Sequence, residues 1–146
     1  MNFIEYNKNY RPKLNQAVIF VGGKGLRLGN LTKKTPKPLL KIKKKIFLDI
    51  LIQNLSRFGI KKILLLCNFK STRFFKRYHR KNFFGINIKC ALDNKKLSGK
   101  LMAIKSNIKK VDKNFILMNG DTFVDLNFKQ YQYFFERNNL KCLSFF

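Results

Sequence analysis

"AVIFVGGKGLRLGNLTKKTPKPLL" (Ala17–Leu40) joins an apolar run to three closely spaced glycines, an arginine, and a lysine held between two prolines. Gln16–Val21 is apolar almost throughout, as expected of a strand covered on both faces of a parallel sheet. In open α/β sheets ligands bind beyond the carboxyl ends of the strands, so the loop after this strand is the first place to look for chemistry. Gly22, Gly23 and Gly25 let the backbone turn sharply and approach a ligand closely. The N–H groups exposed by such a loop attract anions. Arg27 adds a planar fork suited to bidentate phosphate contacts. Lys37 stands between Pro36 and Pro38, which predicts a stiff, non-helical arm over residues 35–38. No acid occurs between Tyr6 and Leu48, so the whole segment is electropositive. Two familiar phosphate motifs fail here: the P-loop pattern is absent, and the dinucleotide fingerprint would need glycine where Leu28 stands. Three glycines alone are equally consistent with a plain tight turn.

Outward from this stretch, apolar strand-like runs alternate with helical periodicity. "IFLDILIQNLSRFG" has apolar residues at Phe47, Ile50, Leu51, Leu55 and Phe58, a helical period closed by Gly59. "KKILLLCNF" reads as a second buried strand and "STRFFKRYHRKNF" as a helix opened by a Ser/Thr cap. "GINIKCAL" is a third strand, "GKLMAIKSNIKKV" a helix, and "KNFILMN" a fourth strand stopping at Gly120-Asp121. "KQYQYFFERN" is a last helix and "LKCLSFF" a fifth strand. This alternation predicts an α/β domain with a mostly parallel sheet covered on both faces. Its last strand has no closing helix after it, as in a domain cut short.

The 146 residues include 45% apolar and 14% aromatic side chains, a folding composition. The charge is unusual: 32 Lys+Arg against 7 Asp+Glu gives +25. Such a balance fits a polyanionic partner, and it fits equally the Lys/Asn/Ile/Phe bias of an AT-rich genome. No apolar run approaches a membrane span, and "MNFIEYNKNYRPK" lacks the apolar core of a secretory signal. Cys67, Cys90 and Cys142 sit singly in apolar segments and read as reduced, buried thiols of a cytoplasmic protein. His79, alone in "KRYHRK", reads as a solvated surface histidine.

The combined pattern is far more specific than its parts. "GGKGLRLGNLTKKTPKPLL" resembles the signature GGxGTRLxxLTxxxPKPLL of the sugar-1-phosphate nucleotidylyltransferases. The likeness runs collinearly over about residues 16–128, through "FLDILIQNLSRFGIKKILLLCNF", "FGINIKCALD" and "NFILMNGDTFVDLNF". The form "NGDTFVDLNF" is most similar to the mannose-1-phosphate and heptose-1-phosphate branches. The resemblance implies a three-layer, Rossmann-like (GT-A-like) nucleotidyltransferase fold. Residues 1–15 would be an N-terminal extension and 16–146 the nucleotide-binding part of an incomplete domain.

By the same resemblance the reaction joins a nucleoside triphosphate to a sugar 1-phosphate, giving an NDP-sugar and pyrophosphate, in nucleotide-sugar or surface-polysaccharide synthesis. Gly22, Gly23, Gly25 and Gly99 would bind the nucleotide. Arg27 would grip the triphosphate, Lys37 would sit by the transferring phosphate, and Asp121 would bind Mg²⁺, a hard ion suited to carboxylate and phosphate oxygens. Departures from the pattern are Val21 for alanine, Leu26 for threonine, and "LSGKLMAIK" where the family has LGTxGAL. There Ser98, Gly99 and Leu101 replace glycine, threonine and glycine, and the bulkier residues would narrow the pocket. The sugar-binding loops and a second metal-binding aspartate would have to come from elsewhere, from a homo-oligomer or a complementing C-terminal fragment. The competing expectations are an inactive fragment of such an enzyme and a basic polyanion or nucleic-acid binder. For the latter, "KIKKK" and "RFFKRYHRKNFF" mix basic and aromatic residues without any recognised nucleic-acid motif.

Overall fold

The computed structural model describes residues 13–23, 25, 28–92 and 99–143. In chain order its first elements are β1 (Gln16–Phe20), the short helix α1 (Asn30–Lys34), the two-residue strands β2 (Lys41–Ile42) and β3 (Lys45–Ile46), and α2 (Phe47–Ser56). They are followed by β4 (Lys62–Cys67), α3 (Ser71–Tyr78), β5 (Lys81–Phe83), β6 (Ile86–Leu92), α4 (Lys100–Ser106), β7 (Ile116–Asn119) and α5 (Phe128–Arg137). The five-stranded sheet has the order β5-β6-β4-β1-β7, with every pairing parallel except β5 against β6.

β1 occupies an interior position because it is apolar on both faces. Ala17 and Ile19 join the cluster built with Leu48, Leu51, Ile52 and Leu55 of α2, Phe74 and Tyr78 of α3, and Phe128 of α5. Val18 faces the opposite way, into a smaller cluster with Leu64, Leu66, Ala91 and Ala103 of α4. Helices therefore cover both faces, and the expected three-layer arrangement is present. Each fully buried Leu or Ile contributes about 1.5–3 kcal/mol of apolar transfer free energy, so the α2 side dominates the core. No helix among the described residues is long and apolar enough to cross a membrane.

Several sequence expectations need correction. The helix expected over residues 71–83 ends at Tyr78, because His79 is extended and Arg80 takes a positive φ of 56°. Lys81–Phe83 instead folds back on β6 through a two-residue turn at Phe84 (φ 53°) and Gly85 (φ 78°). Both central residues of such a hairpin turn need positive φ, which glycine supplies and Phe84 adopts at a cost. The helical pattern of 99–111 divides into α4 and a 3-10 turn at Ile108–Lys110. Leu140–Leu143 forms no strand and residues 144–146 lie outside the described set, so the expected fifth strand is absent from the described residues. Residues 35–38 are only partly a non-helical arm. Thr35 and Pro36 are extended, but Lys37–Leu39 forms one 3-10 turn, closed by Leu39 N–H donating to the Pro36 carbonyl at 2.9 Å. His79 is half-buried, not solvated: its Nδ1 accepts the Cys90 backbone N–H at 3.0 Å. Cys67 and Cys90 are buried thiols as expected, whereas Cys142 is exposed.

One polar junction lies within the α2–α3 interface. Asp49, in the first turn of α2, accepts the Tyr78 hydroxyl at 2.7 Å and Arg77 Nη2 at 2.5 Å. Tyr78 is completely buried, and burial, with the bond to Asp49, pushes its phenol well above the ordinary range. Removing the carboxylate strands a buried hydroxyl, so Asp49→Ala is expected to cost about 2–3 kcal/mol in urea unfolding. Asp112→Ala, which breaks the exposed pair with Lys62 at 3.0 Å, is expected to cost less than about 1 kcal/mol. Equal losses would contradict this ranking.

Candidate active site

The carboxyl ends of β1 and β7 lie side by side because Phe20 pairs with Asn119 in parallel register. Just past that pair, Gly120 N–H donates to the Phe20 carbonyl at 2.8 Å. A Cβ at Gly120 would lie 2.7 Å from Val21 Cγ1 and 3.0 Å from the Phe20 carbonyl oxygen, so only glycine fits this crossing. The next residue, Asp121, is thereby delivered beside the loop that leaves β1.

That loop is shaped from the other side by β4 and α1. A Cβ at Gly22 would meet Asn68 Cβ at 2.7 Å, so the group that approaches this backbone closely is Asn68, just after β4. Gly25 has φ +66°, and a Cβ there would meet Thr32 Cγ2 at 2.9 Å. Gly23 is exposed with nothing within 4 Å of a notional Cβ, leaving its backbone accessible. The buried Thr32 hydroxyl lies 2.9 Å from the Gly25 carbonyl and 3.2 Å from that of Gly29, and ties the loop to α1. Lys70 Nζ caps α1 by donating to the Lys33 carbonyl. Lys24, Leu26 and Arg27 lie outside the described residues, so the expected arginine contact has no geometry here.

The structure brings two expected site residues, 84 positions apart in sequence, into direct contact. Lys37 Nζ donates to Asp121 Oδ2 at 2.8 Å, with both side chains 39% exposed. The hydrogen bond from Lys37 holds the Asp121 carboxyl below the usual carboxylate range, against a smaller opposing effect of burial. Thr122 Oγ1 adds a bond to the other oxygen at 3.3 Å. Gly99 stands at the start of α4 with φ 107° and ψ 154°, a backbone state natural to glycine. Its neighbour Lys100 reaches across to Asn119 Oδ1 at 3.0 Å and stands 5.7 Å from the Phe20 ring centre. Gly99 therefore borders the same carboxyl edge from the opposite face of the sheet.

Lys100, Asn119, Thr32 and Asn68 were not singled out by sequence reasoning. All four lie inside the stretches quoted for the family resemblance, and that membership was the available signal. Among the described residues no three His, Cys, Asp or Glu side chains converge as a metal cage. An ion at Asp121 would draw on one ionised carboxylate, water and the oxygens of a bound phosphate. That donor set suits Mg²⁺, which keeps several waters and uses few protein ligands.

A glycine loop, a lysine and an aspartate lie together at the carboxyl ends of adjacent parallel strands of this α/β protein, groups of the kind phosphate chemistry uses. More particularly, the chain belongs to the nucleotidyl transferase family, whose match spans residues 16–146. It is similar to the D-glycero-alpha-D-manno-heptose 1-phosphate guanylyltransferase of Campylobacter jejuni, 38% identical over 112 residues, covering 77% of this chain and 50% of that protein. A mannose-1-phosphate guanyltransferase of Yarrowia lipolytica is 30% identical over 132 residues, covering 87% of this chain and 36% of that one. Among solved structures, HddC from Yersinia pseudotuberculosis complexed with GMP-PN superposes with a TM-score of 0.72 at 28% identity, covering 88% of this chain and 55% of that chain. The chain thus spans about half the length of the heptose-1-phosphate relative and of HddC. The branch resemblance noted in "NGDTFVDLNF" agrees with these relatives.

The ion pair gives a direct test of the geometry. In Lys37→Met the Asp121 carboxyl is expected to titrate at higher pH than in the wild type, read by carboxyl NMR. Because the folded value is depressed, the pair's small contribution to stability is complete above the unfolded aspartate value of about 3.9. It disappears as pH falls through the folded value. An unchanged Asp121 titration in the variant would show that the pair does not persist in solution.

Proposed function

We propose that residues 16–146 are the nucleotide-binding part of a sugar-1-phosphate guanylyltransferase, taking GTP and a heptose or mannose 1-phosphate to an NDP-sugar and pyrophosphate. The observation that carries this reading is the Lys37–Asp121 contact beside the glycine loop. A cation and an anion side by side next to that loop are the two groups a metal-bound triphosphate would need, which supports the reading. The guanine preference is drawn from the relatives, which are guanylyltransferases.

In this reaction an oxygen of the sugar phosphate forms a bond to the α-phosphorus of the nucleotide while the bond to the pyrophosphate oxygen breaks. No side chain need accept or lose a proton, so the protein's work is positioning and charge neutralisation. The backbone of Gly22, Gly23 and Gly25 would line the nucleotide, with Gly99 bordering it from the α4 side. Arg27 would hold the triphosphate and steady the departing pyrophosphate. Lys37 would exchange its bond to Asp121 for the phosphate being transferred. Asp121 would then be free to hold Mg²⁺, which when bound neutralises phosphate charge. A cytoplasmic setting is part of the proposal, since nucleoside triphosphates and the reduced thiols of Cys67 and Cys90 belong there. A role in surface-polysaccharide synthesis is the corresponding pathway assignment.

The test is equilibrium binding of GTP, ATP, CTP and UTP to the full chain, with and without Mg²⁺, at low and high salt. GTP is expected to bind most tightly and to require Mg²⁺. Arg27→Ala and Lys37→Ala are each expected to weaken binding about tenfold or more, the scale of losing one charge-assisted contact. Asp121→Asn is expected to abolish the gain in GTP affinity that Mg²⁺ gives. Equal binding of all four nucleotides, lost steeply with salt and unaffected by these variants, would instead favour the polyanion reading that the +25 charge invites.

A further inference from the structure

The turn from β4 into α3 (residues 68–70) touches the glycine loop and the Lys37 arm at once. Asn68 lies against Gly22, and Phe69 N–H donates to the Gly22 carbonyl at 3.4 Å. Lys70 Nζ donates to the carbonyl of Thr32, at 3.5 Å, and to that of Lys33. Carbonyls in the last turn of a helix such as α1 have no partner within it and attract cations. Arg73, in the first turn of α3, donates from Nη1 to Thr35 Oγ1 at 3.3 Å. Thr35 is the residue at which the chain leaves α1 in an extended conformation and enters Pro36-Lys37.

Lys70 holds this position in an unfavourable backbone state. Its φ of 51° and ψ of 38° lie in the left-handed region, where glycine or asparagine is the favoured occupant. A lysine supplies there what a glycine cannot, an ammonium, and that group is also held 4.8 Å from the Phe69 ring centre. Lys37 in turn lies against the glycine loop, its Cβ 3.4 Å from where a Cβ at Gly25 would be. One cationic turn therefore straps together the loop, α1 and the arm that carries Lys37.

We propose that Lys70 is a positioning residue for Lys37. By capping the carboxyl end of α1, with Arg73 holding Thr35, it fixes the point from which the arm departs and so sets the Lys37 ammonium beside Asp121. Lys70 acts through Lys37 and not as a phosphate ligand itself. That the arm serves phosphate rests on the function proposed above; that Lys70 orders the arm does not.

The experiment has two arms, both on the full chain. Without nucleotide, hydrogen exchange is followed at Leu39 and Leu40, whose amides donate to the Pro36 and Lys37 carbonyls at 2.9 and 3.1 Å. Lys70→Gly removes the ammonium while suiting the left-handed backbone, so the melting temperature should be nearly unchanged. The Leu39 and Leu40 amides are nevertheless expected to exchange about tenfold faster. Unchanged exchange there, or acceleration shared equally by the amides of β1 and β4, would overturn the proposal. The second arm is Mg²⁺-GTP binding. Lys70→Gly is expected to weaken it about tenfold in the wild-type background, and less than about twofold in the Lys37→Met background. Equal losses in both backgrounds would show Lys70 acting on the ligand directly and would equally overturn the proposal. The exchange arm stands or falls whether or not GTP binds, which keeps its failure separate from that of the proposed function.

Discussion

The site depends on the parallel register between β1 and β7, in which Phe20 lies opposite Asn119 and Gly120 N–H closes on the Phe20 carbonyl. That hydrogen bond sets where two loops begin. One runs through Gly22, Gly23 and Gly25; the other starts at Asp121. The absence of a side chain at Gly120 lets them start within reach of one another, and Lys37 then bridges the gap. Moving β7 by one residue along β1 would turn Asp121 to the other face and dismantle the constellation.

The register is in turn enforced by burial. β1 is apolar toward both helical layers, and its polar end is anchored by Gln16, whose amide donates to the Lys110 carbonyl at 2.9 Å and accepts the Asp112 N–H at 2.7 Å. The connector leading into β7 is thereby tied to the start of β1. Stability is concentrated on the α2–α3 side, in Leu48, Leu51, Ile52, Phe74 and Tyr78, with the Asp49 junction holding the two helices together. The candidate site is consequently built from loops that a firm scaffold positions, which is how binding residues are commonly carried.

Much of this was legible in the amino-acid sequence. β1, β4 and β6 are dense apolar runs, and α2 shows helical spacing closed by Gly59 at φ 86°. The β5 strand was not legible, because Phe84-Gly85 lacks the Asn-Gly or Asp-Gly signal of a tight hairpin while "RYHRKNF" continues a helical mixture of basic and aromatic residues. "LKCLSFF" misled in the opposite direction: apolar residues make a strand only where a neighbouring edge is offered, and Leu140–Leu143 does not use one. Gly22, Gly23 and Gly25 were legible as a loop after the strand, but the demand for glycine at Gly22 and Gly25 comes from Asn68 and Thr32, neighbours that only the folded chain brings against them. The Lys37–Asp121 contact shows the same limit. Both residues could be chosen from their motifs, yet only the fold brings residues 84 positions apart together.

The central claim is that phosphate binds at the junction of the glycine loop and the Gly120-Asp121 turn, and not diffusely over a basic surface. The most direct measurement is amide NMR of the labelled chain titrated with Mg²⁺-GTP. The account predicts shift changes confined to residues 22–27, 37, 99–100 and 119–122, saturating together. Changes spread over the lysines of 41–45 and the basic segment 73–81, reproduced by any polyanion, would contradict it.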